Sequence, residues 1–533
     1  MAATSPFDVK LKNIGLMVPD QGYDVTIVCC SDVAQANFWQ DRLEKNKGTV
    51  VPPGSCVLAV DEDWPGGAGN FLGTIYAWQK ACAKRKEQGG DLAAELSAGS
   101  SVAIFHTAGK GTRLAPLPGA ENNNKPGVKL PGPGAPSILE CVIRQTGAYA
   151  SSRKGRLSVF WGDQIFIPSV AAEYQPRHHA DIICALGPMP GADEWAERGL
   201  HKYGLIAARD DRSVAIQLEK VTHEQATAQL ATMEGVQNVG ASLGSFSLSA
   251  ALLTALEKGF AAELGAKSGK MDSDPHLWMP LTLSADAYTP LMVQKDILDE
   301  QGARAHHARV TAIITDFIAA AGDEFGIFGA VASGRDMSWW DYGQLNLYAE
   351  NSLLLTEASE DAMLARAFFG IPEDSRAAVA CSLGTCDVDA ASIVSDSRFG
   401  SGKISNSAIV SVAAGEVKAE GAVLVNSVAT KIVAAKGAVL YNVVDKSDEG
   451  IVLSENEVRV GVFTLDEARP YFEMKSNRAE FDGGKVFKQQ ICGNKFSFQE
   501  VYDLNGGADV VACAEAAAKA RSQRADECCG TAA

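Results

Sequence analysis

The sequence predicts an α/β protein, in which a mixed and mostly parallel β-sheet is followed by a C-terminal domain that resembles a β-helix. Three observations lead to this prediction. Short apolar runs alternate with helical stretches between residues 23 and 187, and strands that alternate with helices form mostly parallel sheets. Two of the runs lead into glycine-rich loops. Near the C-terminus the sequence repeats itself after 16 residues, as GAVLVNSV and GAVLYNVV.

Five apolar runs are the predicted strands of the sheet. The first, YDVTIVCC (23–30), precedes a helical stretch at 33–45, and a glycine turn with an amphipathic helix covers 66–87. Ligands of such sheets bind at the carboxyl ends of the strands, so we expect the glycine loops and Asp163 at the binding edge. The other four predicted strands are CVLAVDED (56–63), SVAIF (101–105), LSVFWGD (157–163) and ADIICALG (180–187).

The C-terminal part has a different pattern of short β-branched runs separated by small residues. The segment EGAVLVNSV (420–428) is followed by KGAVLYNVV (436–444), which places Val423 and Val439 in register. One turn of a parallel β-helix takes about three hexapeptides, which fits this repeat, and a pair of hairpin strands is the alternative. The predicted parts of the chain are a catalytic domain (1–355), a helical connector (356–400) and a β-helix-like domain with a terminal helix (401–533).

Composition and charge exclude several classes of function. The net charge of -17, without a long basic run, argues against nucleic-acid binding. No stretch of 18 apolar residues offers a membrane span, and the N-terminus lacks the features of a targeting peptide, so a cytoplasmic protein is expected. The 12 cysteines include no C-x-x-C pair, and the eight histidines show no metal-ligand spacing. The histidine pairs at 178–179 and 306–307 are expected at exposed positions.

The stretch AGKGTRLAPL (108–117) directly follows the predicted strand SVAIF. Gly109 and Gly111 allow backbone N–H groups to converge on an anion, and the guanidinium of Arg113 suits phosphate oxygens. The stretch is not a Walker A loop, and Leu114 excludes the G-x-G-x-x-G pattern. A tight turn with a surface arginine would explain the glycines alone, so the wider context decides.

That context resembles the signature of the sugar-1-phosphate nucleotidyltransferases, also called nucleotide-sugar pyrophosphorylases. The family writes G-G-x-G-T-R-L-x-P-L followed by K-P; this chain has Ala108 in place of the first glycine and Lys-Pro at 125–126. Six further segments resemble family motifs in the family's order: VFWGDQIF (159–166), KYGLI (202–206), QLEKVTHE (217–224), NVGASLGSFSL (238–248), MDSDPH (271–276) and SWWDYGQLNLYAENSLLL (338–355).

The resemblance implies a fold, an activity and a cofactor. The fold would be a Rossmann-like nucleotidyltransferase domain of GT-A type. The activity would be transfer of a nucleoside monophosphate from a nucleoside triphosphate to a sugar-1-phosphate, with release of pyrophosphate. UTP and glucose-1-phosphate are the expected substrates, and Mg²⁺ is the expected cofactor.

The resemblance also implies roles for individual residues. The catalytic residues would be Arg113 at the departing pyrophosphate, Lys125 between the two phosphates, Asp163 at the metal and Lys220 at the sugar phosphate. Mg²⁺ would be held by Asp163 and Asp274, with Asp272 as the alternative to Asp274, and Asp341 would lie near the sugar. Lys129 is the rival of Lys125. Substrate contacts are implied for Gly67, Gly69, Asn70, Gly109, Lys110, Gly111, Thr112, Lys129, Gly162, Tyr203, Gly204, Glu219, Asn238 and Gly240.

One loop is out of the usual order and leaves the base open. The glycine-rich stretch DWPGGAGNFLGTIYAW (63–78) precedes the phosphate signature, a layout that resembles the fucose-1-phosphate guanylyltransferase branch. A guanylyltransferase that makes GDP-fucose or GDP-mannose is therefore the alternative to a uridylyltransferase. A non-catalytic regulatory subunit of the same fold is the alternative from another class. Contacts between copies through the C-terminal domain are a further expectation.

Overall fold

A computed structural model describes residues 5–231, 233–322, 325–374 and 378–529 of the chain. The chain forms two compact units, and each unit is assembled from three separate stretches. The division therefore differs from the sequence-based one at residue 355, since the stretch that contains the phosphate signature belongs to the same unit as the C-terminal part. The first unit comprises Met1–Ala108, Arg144–Trp161 and Ile167–Ser338, and the second comprises Gly109–Ile143, Gly162–Phe166 and Trp339–Ala533.

Strands and helices alternate through the first half of the chain, and short strands dominate the second. Among the described residues the strands are β1 (Val25–Cys30), β2 (Cys56–Asp61), β3 (Val102–His106), β4 (Arg156–Trp161), β5 (Gln164–Ile167), β6 (His178–Cys184), β7 (Gly204–Arg209), β8 (Val214–Glu219), β9 (Val236–Ser249), β10 (Gly326–Ala332), β11 (Ser338–Asp341), β12 (Thr385–Val388), β13 (Ile393–Ser395), β14 (Arg398–Ser405), β15 (Ala408–Val410), β16 (Ala413–Glu420), β17 (Val423–Val425), β18 (Val428–Ala434), β19 (Val439–Tyr441), β20 (Ile451–Leu453), β21 (Glu457–Phe463) and β22 (Tyr471–Asn477). The α-helices are α1 (Pro6–Gly15), α2 (Val33–Lys45), α3 (Gly69–Glu87), α4 (Leu92–Ser97), α5 (Leu117–Ala120), α6 (Ile138–Thr146), α7 (Ala192–Glu197), α8 (His223–Leu230), α9 (Ala250–Gly259), α10 (Ala261–Ala266), α11 (Met279–Thr282), α12 (Ala285–Gln294), α13 (Glu300–Ala321), α14 (Leu345–Leu354), α15 (Glu360–Phe369), α16 (Gly483–Val486), α17 (Phe498–Leu504) and α18 (Val510–Cys529). No described helix is both long and apolar enough to cross a membrane.

The first unit is built on one sheet with the strand order β10-β6-β9-β4-β3-β1-β2. Neighbouring strands run parallel except at β9, which is antiparallel to both β4 and β6. The hairpin of β7 and β8 extends the sheet along the first part of β9. The predicted α/β class with a mixed, mostly parallel sheet is therefore confirmed.

The apolar runs form these strands because both faces of the sheet are covered. All six residues of β1 are buried, as expected for a central parallel strand. Helix α3 buries Phe71, Leu72 and Ile75 in the same cluster as the apolar side chains of β1 to β4. The five predicted strands and the helix at 33–45 are confirmed to within a few residues.

Two histidines that the sequence places at exposed positions are buried instead. His178 lies in β6, and its imidazole occupies space left by glycines of β10. A Cβ added at Gly329 would lie 2.1 Å from the His178 Nδ1 atom, and one added at Gly326 would lie 2.4 Å from its ring carbon. His306 is buried on α13, and its Nε2 atom lies 2.8 Å from the carbonyl oxygen of His276.

Burial of His276 makes stability sensitive to acid. Desolvation, and then the neighbouring His306, lower the pKa of His276 to about 4. The unfolded chain binds this proton near pH 6.5, so the unfolded state holds more protons than the folded state between pH 6.5 and 4. The contribution of His276 to the free energy of unfolding is therefore present above pH 6.5 and is lost as the pH falls toward 4.

His276→Asn is expected to reduce this acid sensitivity. The loss of unfolding free energy between pH 7 and 4.5 should shrink by about 2 kcal/mol, as measured by urea unfolding. Replacement of the exposed His201 by asparagine is the control and should leave the loss unchanged. An equal loss in the His276 variant and in the unmodified protein would contradict the prediction.

The second unit contains two sheets whose strands alternate along the chain. One has the order β12-β14-β16-β18-β20 and the other β13-β15-β17-β19-β21-β22, and β22 is the antiparallel exception. Val423 pairs with Val439 in the second sheet, which confirms the register predicted from the repeat. A core that includes Ile404, Leu424 and Ile432 belongs to these strands.

Buried serines connect successive strands of this unit. The hydroxyl oxygens of Ser397, Ser407 and Ser427 accept hydrogen bonds from backbone N–H groups 15, 15 and 16 residues further along the chain. Each of these hydroxyls also donates to the carbonyl oxygen two residues earlier. The serines are fully buried or nearly so, so the bonds satisfy polar groups that would otherwise be costly inside the core.

The segment at 356–400 differs from the predicted helical connector. Helix α15 covers only Glu360–Phe369, and β12 already begins at Thr385. Residues 385–395 contribute the first strands of the two sheets. Val388 and Val394 of these strands pack with the apolar core of the sheets. The predicted terminal helix is observed as α18, and residues 530–533 lie outside the described residues.

Candidate functional site

The phosphate-signature loop is shaped by two glycines in conformations that other residues rarely adopt. Gly109 has φ 124° and Gly111 has φ 63°, and Gly111 precedes a 3₁₀ turn at Thr112–Leu114. Leu114 is fully buried and anchors the turn, whereas Arg113 is exposed. The loop thus combines two glycines of positive φ with an accessible guanidinium, the features that the sequence predicts for an anion site.

The predicted contact of Lys110 with a triphosphate is through its backbone N–H, and its side chain turns toward α17. Its Nζ atom donates to the side-chain oxygen of Gln499 at 3.2 Å. The same atom lies 4.8 Å from the ring centroid of Tyr502, within the range of a cation–π interaction. Both partners belong to α17, so the side chain of Lys110 is held by a helix of its own unit.

Lys125 and Asp163 form an ion pair, with 2.5 Å between Nζ and Oδ2. About one fifth of each side chain is exposed, so the pair is shielded but reachable. Gly162, directly before Asp163, is buried. The rival lysine, Lys129, has its Nζ atom 3.3 Å from Glu121 instead. Of the two lysine candidates, the structure therefore brings Lys125 to the predicted metal carboxylate.

Asp341 is a second carboxylate beside Asp163. A Cβ added at Gly343 would lie 2.9 Å from Asp163 Oδ2 and 3.0 Å from Asp341 Oδ1, so both oxygens face one point. The backbone N–H of Gly343 donates to Asp341 Oδ1 at 2.6 Å. Burial, and then the charge of Asp163, raise the pKa of Asp341, while Lys125 and Arg113 counteract this. Two carboxylates in this arrangement favour a cation between them.

Sequence reasoning missed this pairing, because it placed Asp341 near the sugar and paired Asp163 with Asp274. The two aspartates meet because β5 pairs with β11 and the N–H of Tyr342 donates to the Asp163 carbonyl oxygen at 2.9 Å. The signal available in the sequence is that both aspartates end an apolar strand. Asp274 belongs to the other unit and has its own surroundings there.

The carboxylates of Asp163 and Asp341 have the chemistry that Mg²⁺ requires. Mg²⁺ is usually held by one or two carboxylates together with substrate phosphates and water. The convergence of the two carboxylate oxygens beside Gly343 fits this coordination. Among the described residues, no group of three or more acidic, histidine or cysteine side chains is arranged to hold a metal ion.

The first unit contains a separate acidic cluster around Asp274. The side-chain amide of Gln217 donates to Asp274 Oδ1. Burial, and then the charge of Glu219, raise the pKa of Asp274 to about 7. The Oε2 atom of Glu219 is buried and has no hydrogen-bond partner among the described residues. This cluster can therefore accept a proton or a cation.

Asp272, the alternative to Asp274 as a metal ligand, accepts a hydrogen bond at the start of α3. Its Oδ1 atom accepts the backbone N–H of Asn70 at 2.9 Å, at the start of α3. The side-chain oxygen of Asn70 in turn accepts the N–H of Ser273 at 2.6 Å. Gly69 has φ 75° and approaches so closely that a Cβ would lie 2.5 Å from the Met271 carbonyl oxygen, while Gly67 has φ 83°. The predicted glycine loop is thus fixed against residues 271–273.

Four of the predicted sugar-side residues meet in the β7–β8 hairpin. Gly204 is in register with Glu219, and the N–H of Lys220 donates to the Tyr203 carbonyl oxygen. The Nζ atom of Lys220 lies 3.3 Å from Glu219 Oε1, and 64% of its side chain is exposed. These residues therefore form one charged rim within the first unit, as the sequence order of their motifs suggests.

The remaining predicted residues, Asn238 and Gly240, lie on β9 beside this hairpin. They pair with Ala208 and Ile206 of β7. Gly240 has no room for a side chain, since a Cβ would lie 2.2 Å from the carbonyl oxygen of Ala185. The glycine is therefore required for close approach of the backbone, whether or not a ligand binds there.

Gly240→Ala is expected to destabilise the first unit by about 2–3 kcal/mol, because the backbone must move to admit the methyl group. Thermal unfolding at a fixed protein concentration measures this effect. Gly265→Ala is the matched control, because a Cβ added at that helical glycine meets nothing within 4 Å. Equal melting temperatures for the two variants would show that the contact with Ala185 is not constraining.

Searches against protein-family models and against curated proteins find no match for this chain. The function is therefore inferred from the geometry of the residues themselves.

That geometry separates two kinds of chemistry. The second unit joins the glycine loop, Arg113 and Lys125 with the two carboxylates Asp163 and Asp341, a combination suited to a phosphate chain and a divalent cation. The first unit joins Glu219, Asp274 and Lys220 in a rim that offers both acceptors and a cation. Phosphoryl and nucleotidyl transfers need such positioned charges more than they need a covalent nucleophile.

Proposed function

We propose that the protein is a sugar-1-phosphate nucleotidyltransferase. The reaction joins a nucleoside monophosphate, taken from a nucleoside triphosphate, to a sugar-1-phosphate and releases pyrophosphate. The observation that carries the proposal is the Lys125–Asp163 ion pair with Asp341 beside it, in the same unit as the glycine loop that bears Arg113. UTP and glucose-1-phosphate are the proposed substrates.

The proposed roles in the second unit follow from charge and reach. Gly109, Lys110, Gly111 and Thr112 present backbone N–H groups to the triphosphate. Arg113 neutralises the negative charge that builds up on the departing pyrophosphate. Lys125 contacts the phosphate under attack, and its ion pair with Asp163 holds the ammonium in place before substrate binds.

Mg²⁺ is the proposed cofactor of this unit. Asp163 and Asp341 would hold it, and the bound ion would neutralise charge on the phosphate oxygens. The protein's own contribution is to direct both carboxylates to one point, with Gly343 leaving the space between them open.

The first unit has the proposed sugar-phosphate contacts. Lys220 is exposed and would reach the sugar phosphate, while Glu219 and the Tyr203–Gly204 segment would meet sugar hydroxyls. Glu219 fits this role because its buried Oε2 atom has an unused acceptor position among the described residues. Asp274 stays a proposed cation ligand within this cluster.

Further parts of the proposal concern the fold and the setting. The sheet of the first unit is proposed to be a Rossmann-like sheet of GT-A type, and the two alternating sheets of the second unit are proposed to form a β-helix. A cytoplasmic location and contacts between copies through the C-terminal sheets are also proposed. The oligomeric state measured by light scattering tests the last of these.

The test is a panel of the four nucleoside triphosphates with glucose-, galactose-, N-acetylglucosamine-, mannose- and fucose-1-phosphate. Pyrophosphate release with Mg²⁺ is the readout, and the Asp163→Asn variant is the control for contaminating activity. Release with UTP and glucose-1-phosphate supports the specific proposal. Release with GTP and fucose- or mannose-1-phosphate supports a guanylyltransferase, which the position of the glycine loop at 66–70 before the signature favours. No release from any combination would support a non-catalytic subunit.

A further inference from the structure

A polar cavity of about 280 Å³ lies within the second unit, and Arg113 is one of the residues that line it. Most of the lining comes from the C-terminal part of the same unit and includes Arg478, the residue that follows β22. Side-chain amides of Gln344 and Asn346 also line the cavity. Two guanidinium groups and two amides around one small cavity form a donor-rich site for an anion.

The segment after β22 is seated directly on the phosphate-signature loop. A Cβ added at Gly483 would lie 2.7 Å from the carbonyl oxygen of Thr112 and 3.2 Å from that of Ala115. A Cβ added at Gly484 would lie 3.4 Å from the Arg113 side chain. The glycine at position 483 therefore allows the C-terminal segment to approach the loop closely, and a Cβ at Gly484 would lie at ordinary van der Waals distance from Arg113.

The side chain of Arg478 is held in place by a hydrogen bond to the backbone of Gly437. Its Nε atom donates to the carbonyl oxygen of Gly437 at 2.8 Å, which orients the guanidinium. The two carboxylates that line the cavity are engaged locally: Asp482 accepts the N–H of Gly484 at 2.9 Å, and Glu480 accepts the amide of Asn477 at 3.2 Å. Because the carboxylate oxygens already accept these hydrogen bonds, they compete less with an anion for the two guanidinium groups.

We propose that Arg478 is a second guanidinium ligand for the pyrophosphate group that binds at Arg113. The inference rests on the proposed function for the identity of the anion, and it extends that function by assigning a binding residue to the C-terminal part of the chain. The same chemistry serves free pyrophosphate and the β,γ-phosphates of a bound triphosphate. Arginine suits this task because its planar fork contacts two phosphate oxygens at once.

The first experiment is a titration of the full-length protein with sodium pyrophosphate, followed by calorimetry. Arg478→Gln is expected to raise the dissociation constant at least about tenfold, which corresponds to about 1.4 kcal/mol. Lys475→Gln removes one charge from β22 at a residue that does not line this cavity, and it should match the unmodified protein. Equal affinities of the Arg478 and Lys475 variants would overturn the inference.

Arg478→Lys keeps the positive charge but loses the fork, so it decides the question if Arg478→Gln does not fold. Weaker pyrophosphate binding by the lysine variant supports the inference, and unchanged binding overturns it. The source of the phosphate group is distinguished by the KM values for pyrophosphate and for the triphosphate. Both rise if the two ligands share the site, whereas a rise only for pyrophosphate restricts the site to the free anion.

Failure of this inference is distinguishable from failure of the proposed function. If the enzyme is active but Arg478→Gln leaves its KM for pyrophosphate unchanged, the proposed function is supported and the inference about Arg478 is contradicted. If the protein is inactive with every substrate but binds pyrophosphate in an Arg478-dependent way, the anion site is supported and the proposed function is contradicted.

Discussion

Asp163→Asn is expected to lower the rate of nucleotidyl transfer at least about 100-fold, measured as Mg²⁺-dependent pyrophosphate exchange. The substitution keeps the size of the side chain but removes the charge that pairs with Lys125 at 2.5 Å and faces Asp341. Lys125 then loses its fixed position, and one of two cation-binding carboxylates is lost. The fold should be retained, because the side chain is partly exposed and the amide preserves its shape.

Asp448→Asn is the control for this prediction, since Asp448 is exposed in a loop of the same unit. Its exchange rate should equal that of the unmodified protein. Full exchange activity of the Asp163 variant with Mg²⁺ would remove Asp163 from both the metal site and the catalytic group. In that case Asp341 alone would have to explain any dependence on a divalent cation.

Arg113→Ala is expected to reduce the exchange rate by about 100- to 1,000-fold, because it removes the charge that stabilises the departing pyrophosphate. Lys110→Ala, three residues earlier in the same loop, should have a much smaller effect. The reason is structural: the Lys110 ammonium is bonded to Gln499 and lies over the Tyr502 ring. The paired rates of the two variants, under identical substrate concentrations, measure the difference.

The comparison separates the predicted site from a purely structural loop. Equal and large losses in both variants would indicate that the C-terminal contact of Lys110 is broken when substrate binds. Equal and small losses would indicate that Arg113 does not meet the pyrophosphate. Thermal unfolding of each variant shows whether a loss of activity reflects a loss of folded protein.

Much of the fold was predictable because it depends on local pattern. The run VTIVCC is apolar throughout, and only a strand covered on both faces accommodates six such buried residues. The repeat at the C-terminus predicted that Val423 and Val439 pair, since identical segments in adjacent strands place identical side chains side by side. The signature glycines at 109 and 111 predict a loop whose backbone N–H groups can converge, and the structure shows positive φ angles at both.

What the sequence could not give is the position of side chains from distant segments. Asp163 and Asp341 meet only because β5 pairs with β11, a long-range pairing that no local pattern records. Lys110 turns toward α17 because Gln499 and Tyr502 are brought there by tertiary packing. The same reason explains the buried His178, whose space is made by glycines on a strand far along the chain.

The buried serines restrict which insertions and deletions the C-terminal sheets can accommodate. Each hydroxyl of Ser397, Ser407 and Ser427 meets an N–H group one repeat later in the chain. An insertion of a single residue within a strand would break the bond that spans it and turn the apolar side chains that follow it in that strand outward. Insertion or deletion of a whole repeat preserves all of these bonds. The sheets therefore resemble a set of interchangeable modules, and related chains of different length are expected to differ by complete repeats.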